Sequence, residues 1–273
     1  MNIEDFFKLF EEELRQNKAL TNYHRFTNKE SLYSFRKSYL EQRYNYVLKN
    51  ISKNNSLIWD VGCGYGTTSF LLAAMGHSII GTTLEYYFEQ IENRLEYWSK
   101  YIDVSKIKFE YNTIFDTNYP KEHFDYILAI DTLHHIEPFS KSVHLFHNVL
   151  KLDGTIVICE ENGSNIINRI KNFKQRGFKR ITTMYDERLN KEILFGNENT
   201  RSLKKWQQEF TVAPFVVNKG SIEYIRMFLP SKYKKKSVSD IIQTEQSLWK
   251  KHSLMKEYLF FGLNFTVNKH IWK

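Results

Sequence analysis

Three clusters in this chain of 273 residues carry groups able to bind or react. In Leu57–Ser69, a short apolar run ends in Asp60, and Gly62, Gly64 and Gly66 follow in alternation. Glycines at that spacing permit positive φ and let a ligand approach the backbone at a helix N-terminus. Asp60 can accept hydrogen bonds from the ammonium of an amino-acid-bearing ligand, whereas it repels a pyrophosphate. The second cluster is Asp131, His134 and His135. A neutral imidazole there can take a proton from a phenol, an acidic carbon or an amine, because its pKa lies near the working pH. The third is Glu160, Glu161 and Asn162, with carboxylates suited to an amine or hydroxyl. Each cluster also has a structural reading: a tight turn, a packed histidine, and a loop in which Ser164 caps the next helix. His134 and His135 are not expected to hold a metal, since neighbours on a helix diverge by about 100° and no other residues have metal-site spacing. No Ser-His-Asp or nucleophilic-cysteine framework is legible, which disfavours hydrolysis.

The elements that position these clusters follow from periodicity. Leu57–Trp59 suits a buried strand, and a helix continues through Phe70–Met75 to Gly76. His77–Leu84 reads as a second strand, Phe88, Ile91, Leu95 and Trp98 as a helix, and Ile107–Tyr111 as a third strand. Phe124–Ile130 is almost wholly apolar, as a central parallel strand should be. Val143, Phe146, Val149 and Leu150 mark a helix, Lys151–Gly154 a turn, and Thr155–Cys159 a fifth strand. This alternation predicts an α/β fold, a doubly wound parallel sheet with ligands at the carboxyl ends of its strands. Two amphipathic helices precede it, one from Ile3 to Leu14 capped by Asn2 and one from Leu40 to Ile51.

The Leu57–Ser69 motif resembles the first motif of class I S-adenosylmethionine-dependent methyltransferases. The order of elements from about Tyr46 to Glu160, including Phe124-Asp125 and Leu152-Asp153-Gly154, is similar to that family. So are a helix at 201–210, a strand near 222–228 and a last strand within 259–269. The resemblance implies a Rossmann-like seven-stranded sheet with an antiparallel last strand and S-adenosylmethionine as cofactor, leaving S-adenosylhomocysteine as product. It divides the chain into an N-terminal helical lid (1–45), a cofactor-binding core (46–160) and a completion of the sheet (161–273). In the last part a long helix capped by Ser237 and running to Met255, within an insertion at about 230–257, is expected over the active site. To the cofactor it assigns Asp60, Gly62, Cys63, Gly64, Thr67, Leu84 and Asp131. The second strand ends in Thr83 rather than an acid, which resembles cyclopropane-fatty-acid synthases and related lipid methyltransferases. There Thr83 would hold the ribose, with Gln90 or Glu85 assisting. Thr113 and Ile114 through their backbones, with Phe115 against the ring, are expected at the adenine. Asp131, His134, His135 and Glu161 are the candidates for catalysis.

Aromatic residues make up 16% of the chain, so they must form core or an apolar ligand pocket. Together with the expected roof of helices, they point to a small phenolic, polyene or lipid-like acceptor, methylated on oxygen or carbon. The net charge of +8 gathers at Lys171–Arg180 and Lys232–Lys236. Such clusters suit nucleic acid, acidic lipid or an acidic carrier protein, and are more often solvated faces. Methylation of RNA or protein is therefore an alternative, although no RNA-binding motif and no Asn/Asp-Pro-Pro-aromatic loop is present. A non-catalytic scaffold and a nicotinamide oxidoreductase are the other readings, the latter disfavoured by Asp60. Two cysteines without metal spacing suit a reduced compartment, and no signal-like or membrane-length apolar run appears, so a cytoplasmic protein is expected. Tyr185 is placed in a loop, and the oligomeric state is not legible.

Overall fold

Asn2 accepts a hydrogen bond from the Asp5 amide at 2.8 Å and so starts α1 (Ile3–Gln16), whose Phe6, Phe7, Phe10 and Leu14 are buried along one face. Asn17 caps α2 (Lys18–His24) in the same way, and α3 (Tyr33–Asn50) leads into β1 (Leu57–Val61). Then come α4 (Thr67–Ala74), β2 (Ser78–Thr83), α5 (Gln90–Trp98), β3 (Ile107–Tyr111), β4 (Phe124–Ile130), α6 (Phe139–Val149) and β5 (Leu150–Glu161). The computed structural model describes residues 1–25, 29–84, 88 and 90–270.

β1 to β5 pair in parallel in the order β3-β2-β1-β4-β5. The order reverses direction beside β1, which opens a crevice between the carboxyl ends of β1 and β4. Lys151–Gly154 is not the free turn expected from sequence. It belongs to β5, whose register against β4 shifts between Phe124 and Tyr126. Gly154 permits this, because a Cβ there would lie 2.9 Å from the Asp125 carbonyl oxygen.

The rest of the chain is α7 (Ile166–Arg176), a separate hairpin of β6 (Ile181–Asp186) and β7 (Lys191–Gly196), α8 (Leu203–Phe210), β8 (Phe215–Val217), β9 (Glu223–Ile225), α9 (Pro230–Tyr233), α10 (Val238–Lys251), α11 (Ser253–Leu259) and β10 (Gly262–Lys269). β10 runs antiparallel to β5 and also carries β8 and β9 on its far edge. The expected antiparallel ending is therefore present, with β9 added to the seven-strand path. The single long helix expected after Ser237 is broken into α10 and α11 by the extended backbone of His252. Tyr185 lies on β6, exposed and bonded to Asn190, rather than in a loop. Asn165, not Ser164, caps α7.

Most of the aromatic residues serve as core: Trp59, Phe124 and Phe146 pack on one face of the sheet, and Phe6, Phe70 and Trp98 on another cluster under α1. Cys159 is buried and Cys63 half-buried, and no disulfide joins them. Among the described residues no helix is long and apolar enough to cross a membrane.

Candidate active site

β1 carries Asp60 to the end of the sheet, where the chain turns through Gly62 (φ +66), Gly64 (φ +54) and Gly66 (φ +75) into α4. The amides of Gly62 and Cys63 both donate to the Thr82 carbonyl, at 2.8 and 3.1 Å, which fixes the loop against β2. A Cβ on Gly62 would sit 1.8 Å from Thr132 Oγ1, and one on Gly66 2.4 Å from Phe109, so the cradle has no room for a side chain. The Asp60 carboxylate accepts from Ser69 Oγ at 2.6 Å, and burial lifts its pKa to about 7. It lies in the wall of a cleft of about 550 Å³, within the roughly 300–1,000 Å³ typical of small-molecule sites.

The loop is braced from below. Arg94 of α5 donates to Tyr65 O at 2.6 Å and Thr67 Oγ1 at 2.8 Å, and it pairs with both oxygens of Glu13 at 2.7 and 2.8 Å. Trp98 Nε1 adds a bond to Glu13 at 3.0 Å, so α1, α5 and the glycine loop share one buried ion pair. Thr67, expected at the cofactor, thus has its hydroxyl committed to Arg94 and to His24 Nε2 at 3.0 Å, although it still lines the cleft. Burial, with the charge of Arg94 nearby, drives the His24 pKa down to about 3 and leaves its ring neutral.

Of the other residues expected at the cofactor, Gly62, Cys63, Gly64, Thr83, Leu84, Thr113, Ile114, Phe115 and Asp131 all line this cleft. Gln90, at the start of α5, is not among its lining residues, and Glu85 lies outside the described residues. The Thr113 amide is already engaged by Asn112 Oδ1 at 2.9 Å, so it is Asn112, also in the wall, that presents polar atoms beside Thr83.

The candidates for catalysis separate. Asp131, in the left-handed region at φ +49, is gripped by both Nη atoms of the buried Arg43, one at 2.6 Å. Arg43 outweighs the cost of burial and holds the carboxyl below its ordinary range, so Asp131 lacks the basicity expected of it and instead ties α3 to β4. Glu160 is fully buried: one oxygen accepts the Thr132 and Leu133 amides at 3.0 and 2.6 Å, and the other pairs with His134 Nδ1 at 2.6 Å. Although burial opposes it, this carboxylate keeps His134 protonated up to about pH 9 and outside the cleft wall, which leaves that ring unsuited to accept a proton. Glu161 and Asn162 do not line the cleft either. Glu161 faces Asn168 of α7, and Asn162 donates to the carbonyls of Glu257 and Phe260.

Of the two adjacent histidines, His135 is the one that reaches the cleft. Its Nδ1 lies 2.8 Å from the Gly196 carbonyl oxygen, which can only accept, so Nδ1 carries the proton and Nε2 the lone pair. Burial first, then the charge on His134, lowers its pKa and keeps it neutral. Phe195 stacks on the ring at 4.6 Å and 11°.

The two imidazoles do not diverge as neighbours on an α-helix would. They sit on a tight 3₁₀ turn, Leu133–His135, with centroids 4.0 Å apart. One potential ligand atom from each of His134, His135 and Glu198 lies within 4.8 Å of the others.

Sequence reading expected helices of residues 1–45 over the site and missed the hairpin's share of the far wall. β6 and β7 supply Met184, Ile193, Leu194 and Phe195, while α2 and α3 supply Tyr23, His24, Leu40 and Arg43. Gly196 allows the hairpin to approach, since a Cβ there would meet the His134 carbonyl oxygen at 2.1 Å. Among the described residues, none of 230–257 lines the cleft, where a roof was expected from that stretch.

A family model described as a methyltransferase domain matches residues 51–213. No curated protein matches the sequence. Among solved structures, an S-adenosylmethionine-dependent methyltransferase from Methanosarcina mazei is 15% identical with a TM-score of 0.56, covering 83% of this chain and 98% of its own. A similar protein from Mesorhizobium loti is 13% identical with a TM-score of 0.52, covering 82% and 96%. Phosphoethanolamine N-methyltransferase 2 of Haemonchus contortus, solved with S-adenosyl-L-methionine, is 14% identical with a TM-score of 0.56, covering 85% of this chain and 53% of that one. At these identities the structures share the fold.

Proposed function

The chain belongs to the methyltransferase-domain family and uses S-adenosylmethionine, and on that premise we propose that it methylates a small apolar acceptor on oxygen or carbon, with His135 as the base. The residues present fit the cofactor: a glycine cradle closed to a Cβ at Gly62 and Gly66, a buried carboxylate suited to an ammonium, and Thr83 and Asn112 in the adjoining wall. When bound, the cofactor supplies a methyl group made electrophilic by its sulfonium.

The protein's share is alignment, exclusion of water and removal of one proton. Asp60 binds the ammonium, and the wall built from Leu40, Ile136, Met184, Ile193, Leu194 and Phe195 holds an acceptor with apolar surface. Nε2 of His135 would take the proton that the acceptor's oxygen or carbon gives up during the transfer. The charge that then forms on the ring is met by the Gly196 carbonyl through Nδ1–H. The second and third residue clusters of the sequence thus divide into a base, His135, and a buried support, Glu160 with His134, that holds the turn beneath it. The helices before residue 46 and the β6–β7 hairpin act together as the lid.

The observation that carries this reading is the tautomer of His135, set by one backbone carbonyl, in the same cleft as the glycine cradle. The test is a screen of phenolic and lipid-like acceptors for S-adenosylhomocysteine release. His135→Asn should abolish turnover on any acceptor found while cofactor binding stays intact. Full turnover by that variant would remove His135 from the mechanism.

A further inference from the structure

Helix α7 is built the wrong way round for a helix that packs on a core. Its inward positions are polar: Asn168 is 5% exposed and bonded to Glu161, and Asn172 is 1% exposed with no hydrogen-bond partner on its side chain. Its apolar positions face water. Ile166, Ile167, Ile170 and Phe173 are each about half exposed, and Phe178, just beyond the helix end, is 89% exposed. At about 100° per residue the four helical residues share one stripe roughly 120° wide, opposite Asn168 and Asn172. That stripe is surface.

The charge around the stripe has one sign. Between Glu161 and Asp186 the chain contains no acid but six cations, of which Arg169, Lys171, Lys174, Lys179 and Arg180 are exposed. On the helix, Arg169 and Lys171 flank the stripe on its two sides, where long side chains can lay their stems along apolar surface and lift their charges to a polar boundary. An apolar stripe edged by cations on a surface helix is suited to lie at a membrane interface, buried into the acyl boundary with its charges among anionic headgroups.

We propose that the outward face of α7, with Phe178, docks the protein on an anionic lipid surface. A buried apolar contact with another protein would not call for an uninterrupted run of cations around it, and an acidic protein alone would not call for the apolar stripe. The patch also continues to the active-site mouth. The chain passes from Phe178 through the 44%-exposed Ile181 into the β6–β7 hairpin, and Leu194, at 40% exposure, both faces solvent and lines the cleft. An apolar acceptor dissolved in lipid thereby has a short route from the membrane to His135. This last step rests on the proposed apolar acceptor; the docking itself does not.

The test is sedimentation of the full chain with vesicles of phosphatidylcholine alone and of phosphatidylcholine mixed with phosphatidylglycerol, at low and high salt. The expected result is binding to the mixed vesicles only, weakened by salt, with Ile170→Glu/Phe173→Glu lowering the partition coefficient at least ~10-fold and Lys171→Glu/Lys174→Glu lowering it by a similar factor. All four positions are exposed, and titration with S-adenosylhomocysteine should give the parental affinity for both variants, which excludes misfolding. Absence of binding to the mixed vesicles overturns the proposal, as does binding that the apolar substitutions leave unchanged. If vesicles bind and no apolar acceptor is methylated, docking stands and the acceptor reading fails. The reverse pattern sinks docking alone.

Discussion

Replacing Glu160 by glutamine should make the stability of the protein lose a pH-dependent part that can be measured. His134 is 4% exposed, and its pKa of about 9 against an ordinary value near 6.5 comes chiefly from the Glu160 carboxylate 2.6 Å away. At ~1.36 kcal/mol per pH unit, the difference corresponds to roughly 3 kcal/mol, in the range of about 3–5 kcal/mol found when one partner of a buried pair is removed. Because the folded-state pKa is raised, this stabilisation is complete below about pH 6.5 and drains away as pH rises through about 9. Glu160→Gln keeps an oxygen for the Thr132 and Leu133 amides but no charge for the imidazolium. Urea unfolding followed by tryptophan fluorescence should therefore show the variant less stable by roughly 3 kcal/mol near pH 6 and by only ~1 kcal/mol near pH 9.5, where weakened hydrogen bonds remain. A gap of the same size at both pH values would refute the reasoning, because it would mean that His134 is neutral in the folded protein.

The affinity for S-adenosylhomocysteine should fall by up to ~10-fold per pH unit below about pH 7, since Asp60 must be ionised to hold the ammonium; calorimetry across pH checks this, and Asp60→Asn should flatten the profile at a lower affinity. For His135→Asn, a loss of roughly 10²–10⁴ in turnover with an unchanged dissociation constant is expected, read from single-turnover kinetics on an acceptor found by the screen. Gly62→Ala forces a Cβ to 1.8 Å from Thr132 Oγ1 at φ +66, so cofactor binding should vanish, and Gly62→Ala/Thr132→Ala should recover part of it by calorimetry. Arg94→Met leaves Glu13 buried at 3% exposure without its partner, and should cost about 3–5 kcal/mol in denaturant unfolding.

What was legible in the sequence was local. β4 appears with the bounds that its apolar run suggests, because a parallel strand covered on both faces has no polar alternation to blur its ends, and the edge strand β3 with those of its alternating Ile107, Phe109 and Tyr111. The glycine loop was equally plain, since each of its requirements falls within a few residues. The hairpin was not, because β6 and β7 form a two-stranded sheet of their own that is half-buried, so Thr182 and Thr183 interrupt the pattern. Nor was the sorting of the acids. Asp131 is neutralised from 88 residues away and the glycine loop is braced through an ion pair 81 residues apart, and neither partner leaves a mark in the local sequence. The two histidines were misjudged for a geometric reason: a 3₁₀ turn, unlike the α-helix assumed, brings their rings together.

The place of β10 in the sheet bears on how the chain comes off the ribosome. Domains fold from the N-terminus during synthesis, and β1 to β5 can form their ladder while later residues are still being added. β8 and β9 cannot join it, because each meets the sheet only through β10, whose residues 262–269 follow those of every other strand in the sheet. Until then the edge of β5 stands open with its backbone groups unpaired, a surface that invites a strand from another chain. A chain interrupted before residue 262 would therefore keep every described residue of the cleft and still present that open edge.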